Sequence, residues 1–141
     1  GRWERAKAEG ADARALRMLE TQIEWEEHIV GVAEGRTPVE PGPFEVQVLG
    51  IGDGALVGLS GEVFVEYALE IEARSPAAHT AVAAYTNGVV GYVPTDKAYP
   101  EGGYEVEGAQ HYYGRLTVAP AAGKTILDTA SALLTALWAA D

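Results

Sequence analysis

The spacing of hydrophobic and polar residues changes several times along the chain, and each change predicts a different element. Near the start, Leu16, Leu19 and Ile23 recur at the spacing of one helix face in a charged, alanine-rich stretch. This spacing predicts a frayed start and then a helix over residues 13–33. Gly35 and the prolines that follow it are expected to end the helix.

A period of two replaces the helical period after a stiff, proline-rich connector. Phe44, Val46 and Val48 are separated by polar residues, which predicts a half-buried strand. The sequence Gly-Asp-Gly at 52–54 predicts a hairpin turn, because Asp-Gly tolerates the positive φ that such turns need. Residues 55–59 are continuously apolar and predict a strand that is buried on both faces.

The rest of the chain is organised around residues 59–71. A Ser60-Gly61 turn is predicted to lead into an amphipathic helix whose buried face carries Phe64, Tyr67, Ala68 and Ile71. Glu62 is then expected in the first helical turn. Two interpretations of Glu62 stay open, because the helix dipole favours a carboxylate there and because strand-to-helix junctions carry function in α/β folds.

Strands and helices alternate in the second half as well. Residues 79–85 predict another buried strand, so the strand, helix and strand between 56 and 85 predict a right-handed parallel crossover. Residues 104–113 fit either a loop or an edge strand, and a final helix is predicted to open at 120–123. One face of that helix is expected to carry Ile126, Leu127, Ala130, Leu133, Leu134, Leu137 and Trp138. The predicted fold class is α/β, with a mixed sheet flanked by helices.

Composition and charge narrow the function classes. The chain has 141 residues, 48% of them hydrophobic, and a net charge of −11. Such a charge argues against nucleic-acid phosphate or anionic lipid as the main partner. There are no cysteines, which excludes thiolate metal sites and cysteine nucleophiles. No apolar run approaches the ~18 residues of a membrane span, so no transmembrane segment is expected.

Histidines and tyrosines are the remaining candidate chemistry. His28, His79 and His111 show no metal-like spacing with one another, and each is expected to be structural or solvated. Tyr92 and Tyr104 lie in a loop region beyond a predicted buried strand, at the sheet edge that would also hold Glu62. A phenol there can donate to an oxyanion or ligate a metal. The alternative is a ring that packs while its hydroxyl faces water.

Three motifs in order resemble the neutral/alkaline (non-lysosomal) ceramidase family. Leu-Ser-Gly-Glu-Val-Phe at 59–64 resembles the family's Pro-Gly-Glu-Phe motif. Asn-Gly-Val-Val-Gly-Tyr-Val-Pro-Thr at 87–95 resembles its Asn-x-Tyr-x-x-Tyr-Val-Thr-Thr segment. Ala-Tyr-Pro-Glu-Gly-Gly-Tyr-Glu at 98–105 resembles its Glu-Glu-Tyr-x-x-x-x-Tyr-Glu segment, with the same twelve-residue step from Tyr92 to Tyr104. The chain departs from the pattern at Ser60, Val89 and Pro94, positions that shape the substrate pocket and its rim.

The resemblance implies one zinc ion held by two histidines, a glutamate and a tyrosine. By position, Glu62 and Tyr92 match the glutamate and the tyrosine ligands. Tyr104 matches a catalytic tyrosine that stabilises the oxyanion, and Asn87 is expected to fix the loop that presents Tyr92. The family's two histidines lie in an N-terminal half that this chain does not contain. The resemblance therefore implies that residues 44–141 are the C-terminal half of a ceramidase-like catalytic domain.

The implied activity is zinc-dependent hydrolysis of an N-acyl amide or ceramide-type substrate. The implied partner is the N-terminal half, carried on a second chain or on another part of the protein. Residues 1–36 are expected to be an N-terminal helical segment, and residues 37–43 the connector. The alternative is a non-catalytic relative that binds a small ligand or a protein. Family members are often exported, so the resemblance also implies a secreted or periplasmic location. A start without Met fits a processed chain or the second half of a longer protein.

Overall fold

The computed structural model describes residues 1–39 and 42–139. This part of the chain combines helices with a small mixed sheet, so the fold is α/β as predicted. The elements in order are α1 (Arg2–Ala8), α2 (Ala13–Ala33), β1 (Val46–Ile51), β2 (Gly54–Leu59), β3 (Glu62–Val63), α3 (Val65–Arg74), β4 (His79–Ala83), β5 (Tyr92–Val93), a π-helical turn (Tyr104–Gly108), α4 (Gln110–Tyr113) and α5 (Ala122–Trp138).

The N-terminal helices follow the sequence signals closely. The predicted helix over 13–33 is α2, and its first turn is capped by the Asp12 carboxylate, which accepts a hydrogen bond from the Ala15 N–H at 2.7 Å. The expected frayed start is instead the short helix α1. Two residues of the predicted connector, 40 and 41, lie outside the described residues. Within 1–39 and 42–139, no helix is long and apolar enough to cross a membrane.

The main sheet has the strand order β1-β2-β4. The β1–β2 hairpin is antiparallel, as predicted, and its positive φ of 63° falls on Gly52 rather than on the Asp-Gly pair. The β2–β4 pair is parallel and encloses α3, which confirms a parallel strand–helix–strand crossover.

Helices α3 and α5 cover one face of this sheet and pack against each other. The core between them holds Val57 and Leu59 of β2, Tyr67 and Ile71 of α3, and Ile126, Ala130 and Leu134 of α5. Each large apolar side chain buried there contributes about 1.5–3 kcal/mol. The core therefore holds β2, the strand that leads into Glu62, against α3 and α5.

The opposite face of the sheet is largely exposed, which corrects the prediction that β4 is a buried strand. The register places Leu49 and Ile51 of β1 beside Leu56 of β2 and Ala81 of β4 on this face. Leu49 is 46% exposed and Ile51 68% exposed. Strand β4 was expected to be buried, but it is one of the two edge strands of the described sheet, and both His79 and Ala81 are exposed.

The stretch 104–113 was expected to be loop or edge strand, and both alternatives are wrong. It forms the π-helical turn, closed by the Ala109 N–H to Tyr104 carbonyl bond of 2.7 Å, and then α4. The final helix is confirmed as α5, but its buried stripe is narrower than predicted. Ile126, Ala130 and Leu134 are buried, whereas Leu133 and Leu137 are each 40% exposed.

Candidate functional site

Glu62 lies on a strand and not in a helix, which corrects the prediction for this residue. Helix α3 begins at Val65, three residues later. The reason is a pairing that is distant in sequence: the Glu62 N–H donates to the Gly91 carbonyl at 2.9 Å, and Glu62–Val63 pairs in parallel with Tyr92–Val93. The helix dipole therefore does not explain a carboxylate at this position.

The turn that delivers Glu62 is held from both sides. Ser60 is 3% exposed, and its hydroxyl accepts the Glu45 N–H at 2.6 Å. Gly61 is tightly enclosed, because a Cβ there would lie 3.0 Å from both the Phe44 ring and the Val93 side chain, and both would have to shift. Serine at 60, where the resembling motif has proline, thus supplies an acceptor that proline lacks.

The register of β3 and β5 brings two predicted metal ligands together. Glu62 pairs directly with Tyr92, so both side chains leave the two strands on the same side. A hydrogen bond to the Glu62 carboxylate, together with desolvation and the negative charge of Glu62, raises the pKa of Tyr92 to about 12. The shift is consistent with the direct pairing of Tyr92 and Glu62 across the two strands.

Tyr104 joins this pair through its ring. The Tyr92 and Tyr104 ring centroids are 5.9 Å apart with the planes at 77°, an edge-to-face contact. Tyr104 is 53% exposed, so its hydroxyl can reach a molecule that approaches from solvent. The three residues singled out from the motifs, Glu62, Tyr92 and Tyr104, therefore lie together in the fold.

Asn87 contacts strand β1 and not Glu62. Its side-chain amide donates to Glu45 Oε1 at 2.6 Å and to Gln47 Oε1 at 3.1 Å. Its φ is +57°, in the left-handed region that asparagine tolerates better than most residues. Asn87 thus ties the loop between β4 and β5 to the outer face of β1, at one end of the segment that leads to Tyr92.

Two further tyrosines that sequence reasoning missed bind the Glu62 carboxylate. The Tyr85 hydroxyl donates to Oε2 at 2.8 Å, and the Tyr113 hydroxyl donates to Oε1. A sequence signal existed for Tyr85, since it follows the carboxyl end of a strand that is parallel to β2. No comparable signal pointed to Tyr113, which reaches the site from α4, 51 residues further along the chain.

An open cavity of about 940 Å³ lies beside Tyr113. Its volume falls in the range of small-molecule sites, and its walls are mainly apolar with a few polar groups. The apolar lining includes Phe44, Val46, Val90, Leu116, Val118 and Ile126. Tyr113 lines this cavity and its hydroxyl also binds Glu62, so the cavity and the carboxylate share this residue.

Two of the side chains that the resemblance assigns to zinc, those of Glu62 and Tyr92, are neighbours in the fold. The carboxylate of Glu62 and the phenol of Tyr92 leave paired positions of β3 and β5, and carboxylate oxygen is a common zinc ligand. Within 1–39 and 42–139, no group of three or more His, Cys, Asp or Glu side chains is arranged to hold a metal. His79 begins β4 at the end far from the site, and the His111 ring contacts the Tyr112 ring with centroids 3.8 Å apart and planes tilted by 41°. Zinc bound here would need further ligands besides Glu62 and Tyr92.

Comparison with known proteins found no matching family model, no matching curated protein and no matching solved structure.

Proposed function

We propose that the chain provides the glutamate and tyrosine side of a zinc-dependent amide hydrolase that resembles the neutral ceramidases. The observation that carries this proposal is the Glu62–Tyr92 pairing with Tyr104 packed on Tyr92. Motifs that lie up to 42 residues apart in the sequence meet at one point, as a shared site requires. The two histidines of the ligand set would come from the N-terminal half of the catalytic domain, which is the proposed partner.

In this proposal each residue has a defined task. Glu62 and Tyr92 would hold zinc, which when bound supplies Lewis-acid polarisation of an amide carbonyl. Tyr85 and Tyr113 hold the two oxygens of Glu62, so the ligand is oriented before the metal arrives. The exposed Tyr104 hydroxyl would donate to the oxyanion that develops on the amide oxygen.

The cavity beside Tyr113 supports the proposal that the substrate carries an acyl chain or another lipid-like group. Its apolar side chains would bury a hydrocarbon chain, and each buried CH₂ group would contribute about 0.8 kcal/mol. Its position next to the wall formed by Tyr113 would leave the amide near Glu62. Lipid-like N-acyl amides are therefore the proposed substrate class.

Native mass spectrometry of the gently purified protein tests the metal and the partner together. We expect an assembly with one zinc ion per complete site, and we expect Glu62→Gln to lose that zinc. Glu66→Gln is the matched control, because Glu66 is an exposed glutamate in the first turn of α3. A metal-free wild-type protein, or equal zinc occupancy in both variants, would count against the proposal.

The cavity also favours a second candidate function, a relative that binds an apolar ligand without catalysis. Binding of a fluorescent fatty acid would then depend on the cavity wall and not on Glu62. Under this alternative, Val118→Asp abolishes fatty-acid binding and Glu62→Gln leaves it unchanged. Neither of these variants hydrolyses an N-acyl amide. Hydrolysis by the wild type that Glu62→Gln removes would favour the enzyme.

A further inference from the structure

We propose that Tyr85 is a positioning residue of the site, whose hydroxyl fixes one oxygen of the Glu62 carboxylate so that the carboxylate meets its ligand in a single orientation. Tyr85 lies outside the three motifs that suggested the site. The inference rests on the proposed function for the use made of Glu62. The contact itself is a feature of the free chain.

The backbone at Tyr85 is the first argument. Its φ is +59°, a left-handed conformation that is sterically costly for a residue with a large side chain. The Tyr85 N–H donates to the Gly61 carbonyl at 3.2 Å, and the Thr86 N–H donates to the Leu59 carbonyl at 3.1 Å. These bonds attach the start of the β4–β5 loop to the turn that carries Glu62, and they hold Tyr85 in its strained conformation.

The exposure of the ring is the second argument. Tyr85 is 58% exposed, so core packing does not account for a large aromatic side chain at a strained position. Its hydrogen bond to Glu62 Oε2, at 2.8 Å, is the specific contact that the strained backbone makes possible. A strained backbone conformation that no packing benefit offsets indicates that Tyr85 has a role at the site.

The geometry at the carboxylate is the third argument. The terminal torsion of a glutamate side chain is broad, so one donor leaves the carboxylate plane free to turn. Tyr85 on Oε2 and Tyr113 on Oε1 fix that plane from both sides. Each oxygen keeps a further lone-pair direction for a metal or a donor, so the two phenols orient Glu62 without occupying all of its acceptor capacity.

Zinc titration of the purified protein by calorimetry tests the role with two conservative variants. Tyr85→Phe keeps the ring and the backbone strain but removes the hydroxyl, and we expect it to weaken zinc binding about 10- to 100-fold. Tyr112→Phe is the control, since Tyr112 is also an exposed tyrosine and contacts His111 rather than Glu62. Zinc affinity that is equal in wild type and Tyr85→Phe would overturn the proposal.

Crystal structures of the zinc-free wild type and Tyr85→Phe separate this inference from the proposed function. We expect one orientation of the Glu62 carboxylate in the wild type and a turned or split carboxylate in the variant. An unchanged single orientation in Tyr85→Phe would overturn the positioning role. If the wild type binds no zinc but the carboxylate turns in the variant, the proposed metal fails and the role of Tyr85 stands.

The strain itself is tested by two more substitutions at the same position. Glycine adopts a φ of about +60° freely, whereas alanine does not, so Tyr85→Gly should unfold at a higher temperature than Tyr85→Ala. At most positions the order is the reverse. Finding the ordinary order at Tyr85 would remove the strain argument.

Discussion

Tyr67 connects the core to the site, and removing its hydroxyl is the most informative test of the packing described above. The residue is 2% exposed, and its phenol donates to the Pro94 carbonyl at 3.0 Å. Pro94 directly follows β5, the strand that carries Tyr92. The bond therefore attaches helix α3 to one of the two strands that form the site.

Tyr67→Phe keeps the ring, so no large cavity opens. The variant leaves the buried Pro94 carbonyl without its donor, and an unpaired buried acceptor costs about 1–3 kcal/mol. We expect the free energy of unfolding at neutral pH to fall by that amount. Tyr112→Phe removes a hydroxyl from an exposed ring, and it should change stability by less than about 0.5 kcal/mol.

The pH dependence gives the same prediction a second, independent measure. Burial of the phenol, with smaller effects of Tyr99, Asp96 and Glu66, raises the pKa of Tyr67 to about 12. The phenol in the unfolded chain has a pKa of about 10, so the folded state binds this proton more tightly. The resulting stabilisation is fully present below about pH 10 and is lost as the pH rises through about 12. A difference of this size corresponds to about 3 kcal/mol.

Urea unfolding followed by circular dichroism, repeated from neutral to strongly alkaline pH, measures both effects. The stability difference between wild type and Tyr67→Phe should be largest at neutral pH. It should shrink as Tyr67 ionises in the wild type. A difference that is negligible at neutral pH, or one that stays constant through the alkaline range, would refute the buried hydrogen bond.

Three further predictions concern the site and its support. Gly58→Ala places a Cβ 2.7 Å from Thr86 Oγ1, so it pushes on the β4–β5 loop. It should lower the free energy of unfolding, measured in urea, by about 1–3 kcal/mol. A variant as stable as the wild type would show that the loop moves to make room. Glu62→Gln removes a charge and should lower the pKa of Tyr92 toward its ordinary value, which phenolate absorbance measures. An unchanged pKa of Tyr92 in this variant would place Tyr92 away from Glu62. Leu59→Ala, at a fully buried position, should cost about 2–5 kcal/mol, and a loss below about 1 kcal/mol would contradict its place in the core.

The local pattern of apolar and polar residues correctly predicted the elements whose conformation depends on residues close in sequence. The helical spacing predicted α2, and the alternation with its glycine turn predicted the β1–β2 hairpin. The apolar face of α3 was predicted as well, since Tyr67 and Ile71 are buried. The alternating apolar side chains of β1 and the apolar face of α3 pack against the core, whereas Leu16, Leu19 and Ile23 of α2 are only half-buried.

Pattern failed where a distant segment decides the conformation. Glu62 is extended because it pairs with Tyr92, 30 residues away, and nothing local in the sequence favours a two-residue strand there. Tyr113 reaches Glu62 only because α4 folds back over the loop between β4 and β5. Glu62, Tyr92 and Tyr104 were found by their order and spacing, whereas Tyr85 and Tyr113 belong to no motif and needed the fold.

The two loops at opposite ends of the main sheet differ in how much change they can absorb. Residues 85, 86 and 90 each donate a backbone hydrogen bond to the turn at 59–61, so an inserted residue in the β4–β5 loop would displace Tyr92 from Glu62. The hairpin at Gly52–Asp53 is exposed and lies at the other end of β2. A fluorophore, an affinity tag or a whole inserted domain would therefore be tolerated at that hairpin, where it would report on the chain without disturbing the carboxylate and its tyrosines.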